Sequence, residues 1–339
     1  MRSYTPKLIA WEMTTDCGLS CVHCRIGRET YQNEPLSTDE GKKLLDSIAS
    51  KYKPIIIMTG GDPLLREDFL ELAEYGTSLG LKMVVASCGY GITPELVNKM
   101  QTAGIMAVSL SIDGADEKTH DTFRQAPGSF KKIIEAAGIL KLSGMPFQIN
   151  TTITKLNSGS IDEIFELAKG LGAKQFHPFL FVPTGKGKDI AKYSLTAFEY
   201  EIILKHIYEL SLKNSDILIK PTCAPQYNRI ILEHDPDNTR VSQGCMGGKS
   251  FAFISSFGEV RICGFLDMPA GNIRDHKYDF NDIWDHSHLF NSLRYPENFK
   301  GKCGLCMYHT VCSGCRARAY EVQTDYLGDE PFCEYVPQF

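Results

Sequence analysis

Two periodicities alternate along the first half of the chain. Short apolar runs rich in β-forming residues predict six strands, at 8–13 (LIAWEM), 54–58 (PIIIM), 82–87 (KMVVAS), 106–112 (MAVSLSI), 146–154 (PFQINTTIT) and 175–183 (QFHPFLFVP). Between them apolar residues recur at helical spacing, and the helix ends are readable. Ser37 and Glu40 form a capping box ahead of Leu44, Leu45 and Ile48, Thr93-Pro94 opens a helix that Gly104 stops, and Ser129 opens another with Phe130, Ile133, Ile134 and Ala137 on one face. This alternation predicts an α/β fold with a parallel sheet, which right-handed crossovers curl into a (β/α)6 partial TIM barrel. Ligands of such sheets bind where the strands end. Here the strand ends run into "TGGDP", "SCGYG", "SIDGAD", "TTITKLN" and "VPTGKGK", all predicted to meet at one mouth.

Beyond residue 195 the pattern changes. Residues 196–214 read as an amphipathic helix with Ile203, Ile207 and Leu210 on one face. After it "SFAFISSFGEVRICGFL" alternates as a hairpin about Phe257-Gly258, a short helix surrounds Ile283-Trp284, and a cysteine-dense tail follows. The expected organisation is a barrel domain over 1–195, a connecting helix over 196–219 and a smaller domain over 220–339, which suits a chain of 339 residues.

A formal charge of −5 argues against a surface built to coat nucleic acid but leaves room for a local basic pocket. The N-terminus lacks the apolar core of a signal peptide and the longest apolar runs are strand-sized, so a soluble, cytoplasmic protein without a membrane partner is expected. Twelve cysteines in a reducing compartment point to metal or redox chemistry rather than disulfides. Eleven fall in two groups, at 17–24 and 223–333; Cys88 stands alone.

Cys17, Cys21 and Cys24 form a C-x3-C-x2-C triplet in the loop after the first strand. Structural zinc takes four tetrahedral ligands, and His23, wedged between two cysteines, is too close in the chain to be the fourth. A cubane iron-sulfur cluster suits three thiolates better, with one iron left open.

This triplet, in a loop of an apparent partial barrel, resembles that of the radical S-adenosylmethionine (SAM) superfamily, over roughly residues 8 to 190. The resemblance implies a SAM-binding [4Fe-4S] cluster on Cys17, Cys21 and Cys24, with His23 where the family usually has an aromatic residue. It implies SAM contacts from Gly60, Gly61 and Asp62 of "TGGDP", from Ser111 of "SLSIDG", and from Arg124; Cys88 would be a pocket wall. The pattern Cys245, Gly258, Cys263, then Cys303-x2-Cys306-x5-Cys312-x2-Cys315, then Cys333, resembles the SPASM extension, which holds two auxiliary [4Fe-4S] clusters. Carried over, one takes Cys303, Cys306, Cys312 and Cys333; the other takes Cys245, Cys263 and Cys315, with Cys223 as candidate fourth ligand. Cys312-x2-Cys315 is one residue shorter than the usual spacing.

"KPTCAPQYNRI", "FHPFLFVPTGKGK" and "CSGCRARAYEVQTDYLGDEPFC" resemble the radical SAM enzymes that make heme b in the siroheme-dependent pathway. No more than seven residues precede Leu8, which leaves no room there for the peptide-binding extension of peptide-modifying relatives. That resemblance implies oxidative decarboxylation of two propionates of iron-coproporphyrin III to vinyl groups, with an external one-electron donor such as ferredoxin or flavodoxin. Four carboxylates on a flat macrocycle call for a slot rimmed by cations, for which Lys186, Lys188, Lys220 and Arg229 are the candidates. His177 reads as a satisfied strand residue, and no axial iron ligand is assigned. The competing readings are a peptide-maturing SPASM enzyme, a heme-d1-type tetrapyrrole enzyme, and a non-catalytic electron carrier or zinc-stabilised binding module.

Overall fold

The computed structural model describes residues 4–27, 34–238, 241 and 244–338. The six expected strands form, as β1 (Leu8–Glu12), β2 (Ile55–Thr59), β3 (Lys82–Ser87), β4 (Ile105–Ser111), β5 (Phe147–Ile153) and β6 (Gln175–Leu180), adjacent and parallel in chain order. Helices α1 (Thr38–Lys51), α2 (Phe69–Ser78), α3 (Pro94–Thr102), α4 (Glu117–Arg124), α5 (Ser129–Leu142) and α6 (Ile161–Leu171) connect them. The period-2 pattern sorts the strands into two faces. Ile56, Met58, Met83, Val85, Val108 and Leu110 are buried outward, in one core with Leu44, Leu45 and Ile48 of α1 and Val97 and Met100 of α3. Each such side chain contributes about 1.5–3 kcal/mol on burial. The alternate positions point into the barrel.

The helix ends follow the sequence signals. Ser37 and Glu40 complete a capping box, and the Thr93 side chain accepts from Leu96 N. Gly41 sits within α1 because a Cβ there would come 2.8 Å from the Trp11 ring, so the residue least suited to a helix interior admits the largest side chain of β1.

The sheet continues past the expected domain boundary. Helix α7 (Ala197–Lys213), with its own Thr196/Glu199 capping box, leads to β7 (Leu218–Ile219), which pairs parallel with β6. At the opposite edge β8 (Phe251–Ile254) pairs parallel with β1, Leu8 opposite Phe251. Antiparallel β9 (Glu259–Arg261) and β10 (Gly271–Asn272) extend that edge, completing ten strands among the described residues. The hairpin turns at Gly258, whose φ of 86° favours glycine. Helices α8 (Tyr227–His234), α9 (Phe280–His286), α10 (His288–Arg294), α11 (Gly301–Leu305) and α12 (Arg316–Gln323) carry the cysteine-rich remainder. Among the described residues no helix is long and apolar enough to cross a membrane.

Candidate active site

The barrel encloses an open-mouthed cavity of about 1990 Å³, beyond the roughly 300–1,000 Å³ usual for a single small ligand. Its wall is two-sided. Ala10, Ile57, Val84, Ala86, Phe251 and Phe253 make an apolar side; Ser109, Ser111, Gln148, Asn150, Gln175 and His177 make a polar one on β4, β5 and β6.

Cys17, Cys21 and Cys24 all face this cavity from the loop after β1. The neighbouring strand ends hold that loop by its backbone. Gly61 N donates to Thr14 O (2.8 Å) and Asp62 N to Asp16 O (2.7 Å), while Lys186 N donates to Cys24 O (2.9 Å). A Cβ on Gly60 would lie 2.3 Å from Thr14 O and one on Gly61 2.1 Å from Asp16 O, so both glycines serve the approach of the cysteine loop. Gly60 and Gly61 still line the cavity. Asp62 does not: expected at the nucleotide, it is buried, its Oδ1 accepting from Leu64 N and its Oδ2 from Ser87 Oγ and Cys88 N.

Ser111 and Arg124, implied as SAM contacts, both line the cavity. Arg124 Nη2 pairs with Asp113 Oδ2 at 2.6 Å, its Nη1 lies 3.6 Å from Cys21 Sγ, and its buried Nε has no partner among the described residues. Asp113, unassigned from sequence, thus orients the cation beside the Cys21 thiol. It also lies 3.8 Å from His23 Nε2, whose ring packs on Phe123 with centroids 4.7 Å apart. Burial holds His23 down at about 4, against the pull of Asp113. Cys88 is nearer the triplet than its sequence position suggested: its Sγ lies 2.7 Å from Asp62 Oδ2 and hydrogen-bonds with Cys17, which draws the Cys17 thiol down to about 7.

The other cysteines gather in two sets. Cys223, Cys245, Cys263 and Cys315 are close enough to act on one another electrostatically, and all four face the cavity that the triplet faces. Burial foremost, then the neighbouring thiols, push Cys263 to about 12. Cys303, Cys306, Cys312 and Cys333 form the second set, away from the cavity. Ser313 and Gly314, both left-handed at φ 65° and 58°, turn the chain between Cys312 and Cys315, so the shortened spacing sends adjacent cysteines into different sets. Cys245 N donates to Cys312 O at 3.0 Å, and the sets adjoin there. Glu330 N and Arg316 Nη2 point at Cys303 Sγ (3.3 and 3.5 Å), and Gly314 N at Cys312 Sγ (3.4 Å).

All twelve cysteines are free thiols. Among the described residues no three His, Cys, Asp or Glu side chains are gathered tightly enough for a single metal ion. All-sulfur donor sets with N–H groups aimed at sulfur fit iron-sulfur clusters, whose charge would favour thiolates that burial alone disfavours.

Of the four candidate cations, Lys186 and Lys220 line the cavity, and neither ammonium has an ion-pair or hydrogen-bond partner among the described residues. The other two are placed elsewhere. Lys188 pairs with Glu321 at 3.1 Å, and Arg229 is held by Glu233 (2.8 Å) and Glu201 over the Tyr335 ring. A spare cation in the sequence is a spent one where the fold supplies carboxylates.

A partial parallel barrel whose cavity is lined by a cysteine triplet and by a second set of four cysteines, with a third set adjoining, defines an enzyme class. The chain matches the radical SAM superfamily over residues 11–168 and the SPASM iron-sulfur cluster-binding domain over 245–316. It is 46% identical to the AdoMet-dependent heme synthase of Methanosarcina barkeri, over 98% of this chain and 97% of that one, and 43% identical to that of Nitratidesulfovibrio vulgaris, over 99% and 94%. Its fold is similar to that of Streptococcus suis SuiB bound to S-adenosylmethionine, with a TM-score of 0.76 and 15% identity over 98% of this chain and 78% of SuiB. The chain belongs to the radical SAM superfamily, in the branch with a SPASM domain. It is an enzyme whose cofactors are SAM and iron-sulfur clusters.

Proposed function

We propose that this protein is an AdoMet-dependent heme synthase, converting two propionates of iron-coproporphyrin III to vinyl groups with loss of CO2. The observation that carries this reading is one cavity lined both by the cysteine triplet and by Cys223, Cys245, Cys263 and Cys315, with an apolar wall and two lysines whose ammonium groups have no partner among the described residues. Its volume suits a nucleotide and a macrocycle together.

In this reading Cys17, Cys21 and Cys24 hold a [4Fe-4S] cluster, and the two four-cysteine sets hold one each. Reductive cleavage of SAM at the first cluster supplies the radical chemistry that removes hydrogen from an unactivated carbon. The protein's own groups do the rest. Arg124, fixed by Asp113, and Ser111 bind SAM; Asp62 braces the loop from behind. Lys186 and Lys220 pair with substrate carboxylates, and the apolar wall takes the face of the macrocycle and excludes water from the reacting carbon. Each propionate gives up one hydrogen atom, one CO2 and one electron; Cys223, Cys245, Cys263 and Cys315, which line the same cavity, would hold the cluster that takes up that electron. A ferredoxin or flavodoxin supplies the reducing electron.

Anaerobic protein with SAM, a strong reductant and iron-coproporphyrin III should release two CO2 and two methionines per heme b formed. Absence of substrate-stimulated SAM cleavage would overturn the reading.

A further inference from the structure

We propose that His177 is the protein ligand to the iron of the tetrapyrrole substrate, coordinating through Nδ1 while Gln175 holds the ring through Nε2. The inference rests on the function proposed above and assigns a residue to it.

Alternation along β6 places Gln175, His177 and Phe179 on the cavity face, and the register sets His177 beside Asn150 of β5, itself beside Ser111 of β4. His177 therefore lies in the layer of inward side chains that contains Ser111, at the depth where substrate must meet SAM. Two imidazoles line the cavity. His23 is packed between Phe123 and Asp113 and is closed off.

His177 is differently arranged. Its Nε2 lies 2.9 Å from Gln175 Oε1. An amide oxygen only accepts, so Nε2 carries the proton and the lone pair is on Nδ1. Nδ1 has no hydrogen-bond partner among the described residues and is not sealed in the protein. One nitrogen donating to a neighbouring oxygen while the other presents a free lone pair is the arrangement of a metal-ligating histidine. Burial, with the nearby charge of Lys220, holds the imidazole neutral, its pKa near 4, so the lone pair is free at neutral pH. The lysine has a second use: an ammonium beside an iron ligand is placed for a propionate of the same macrocycle. A satisfied core histidine would present no open nitrogen to a cavity.

The test compares iron-coproporphyrin III with metal-free coproporphyrin III, titrated anaerobically into wild-type holoenzyme and into His177→Ala and His177→Asn, without reductant or SAM. In wild type the iron form should show a shifted Soret band and an electron paramagnetic resonance spectrum of nitrogen-ligated ferric iron. Both variants should lose that signature and bind the iron form roughly tenfold or more weakly. Their affinity for the metal-free macrocycle should stay at the wild-type value, and added imidazole should restore the signature. A wild-type spectrum in both variants, or an equal loss of affinity for both macrocycles, overturns the assignment. Failure of wild type to bind either macrocycle overturns the function reading, and this one with it.

Discussion

The two cysteine regions solve opposite problems. The front triplet comes from eight consecutive residues in a single loop, and Cys17 is exposed. What gives that loop its shape is borrowed: Gly60 and Gly61 against its backbone, Arg124 at Cys21, the Lys186 amide at Cys24. The rear cysteines span residues 223 to 333, and they meet because a buried polar framework brings them together. Arg318 and Glu330, both buried, pair at 2.9 Å; Glu330 Oε2 accepts from Cys315 N at 2.6 Å, and Arg318 Nη2 donates to Tyr200 Oη at 2.8 Å. A local donor set can leave one side open to ligand. A dispersed one closes on itself and ties its metal to the fold.

The sharpest way to break this contrast is to remove one donor from each region. Cys21→Ala should reduce SAM cleavage to background. Cys263→Ala should keep SAM cleavage but lose most heme formation and one cluster's worth of iron. Equal loss of SAM cleavage in both would abolish the distinction. Next in size, Arg318→Met leaves the Glu330 carboxylate buried without its ion-pair partner and should cost about 3–5 kcal/mol in anaerobic denaturant unfolding. Cys21→Ala should show far less unfolding sensitivity.

Smaller effects sharpen the picture at the cavity and at the seam. Lys186→Met and Lys220→Met should each weaken iron-coproporphyrin III binding by about 1.5–3 kcal/mol, the range for hydrogen bonds to charged groups, without changing SAM affinity. At the seam, Glu40 joins α1 to the rear segment through Arg274 (2.7 Å) and Tyr278 (2.8 Å). Hydrogen bonding from Arg274 foremost lowers the Glu40 pKa to about 2. Its contribution is therefore full above the unfolded carboxyl pKa of about 4.3 and is lost as pH falls through about 2. Glu40→Gln should cost about 1 kcal/mol at pH 7 and correspondingly less at low pH, followed by unfolding as a function of pH.

Local chemistry was the legible part. Periodicity located all six barrel strands, and caps such as Ser37 and Thr93 marked helix starts, because each depends on neighbours in the chain. The triplet was readable for the same reason. Partners distant in sequence were not: nothing in "SFAFI" says that it pairs with "LIAWE", and β7 is too short to show a period. Charges failed likewise, since Arg229 and Lys188 look free until the fold supplies Glu201, Glu233 and Glu321. Asp113 stands in "SIDGAD" with no local sign of its role, because that role depends on Arg124 one helix away. The polar wall did leave a signal. "QFHPFL" and "FQINTTI" place amides, an imidazole and a hydroxyl at positions that alternate with apolar ones, an expensive choice for a core face and an ordinary one for a binding surface.

The pairing of Leu8 with Phe251 has a consequence for biosynthesis. At about 5–20 residues per second, the outer edge of the first strand leaves the ribosome roughly ten to fifty seconds before the segment that covers it. Throughout that interval an apolar ribbon with unsatisfied amides is open to other nascent chains. A stalled polypeptide ending before position 251 should therefore clump where the finished one does not, and cells making this protein need chaperones most at that late stage of translation.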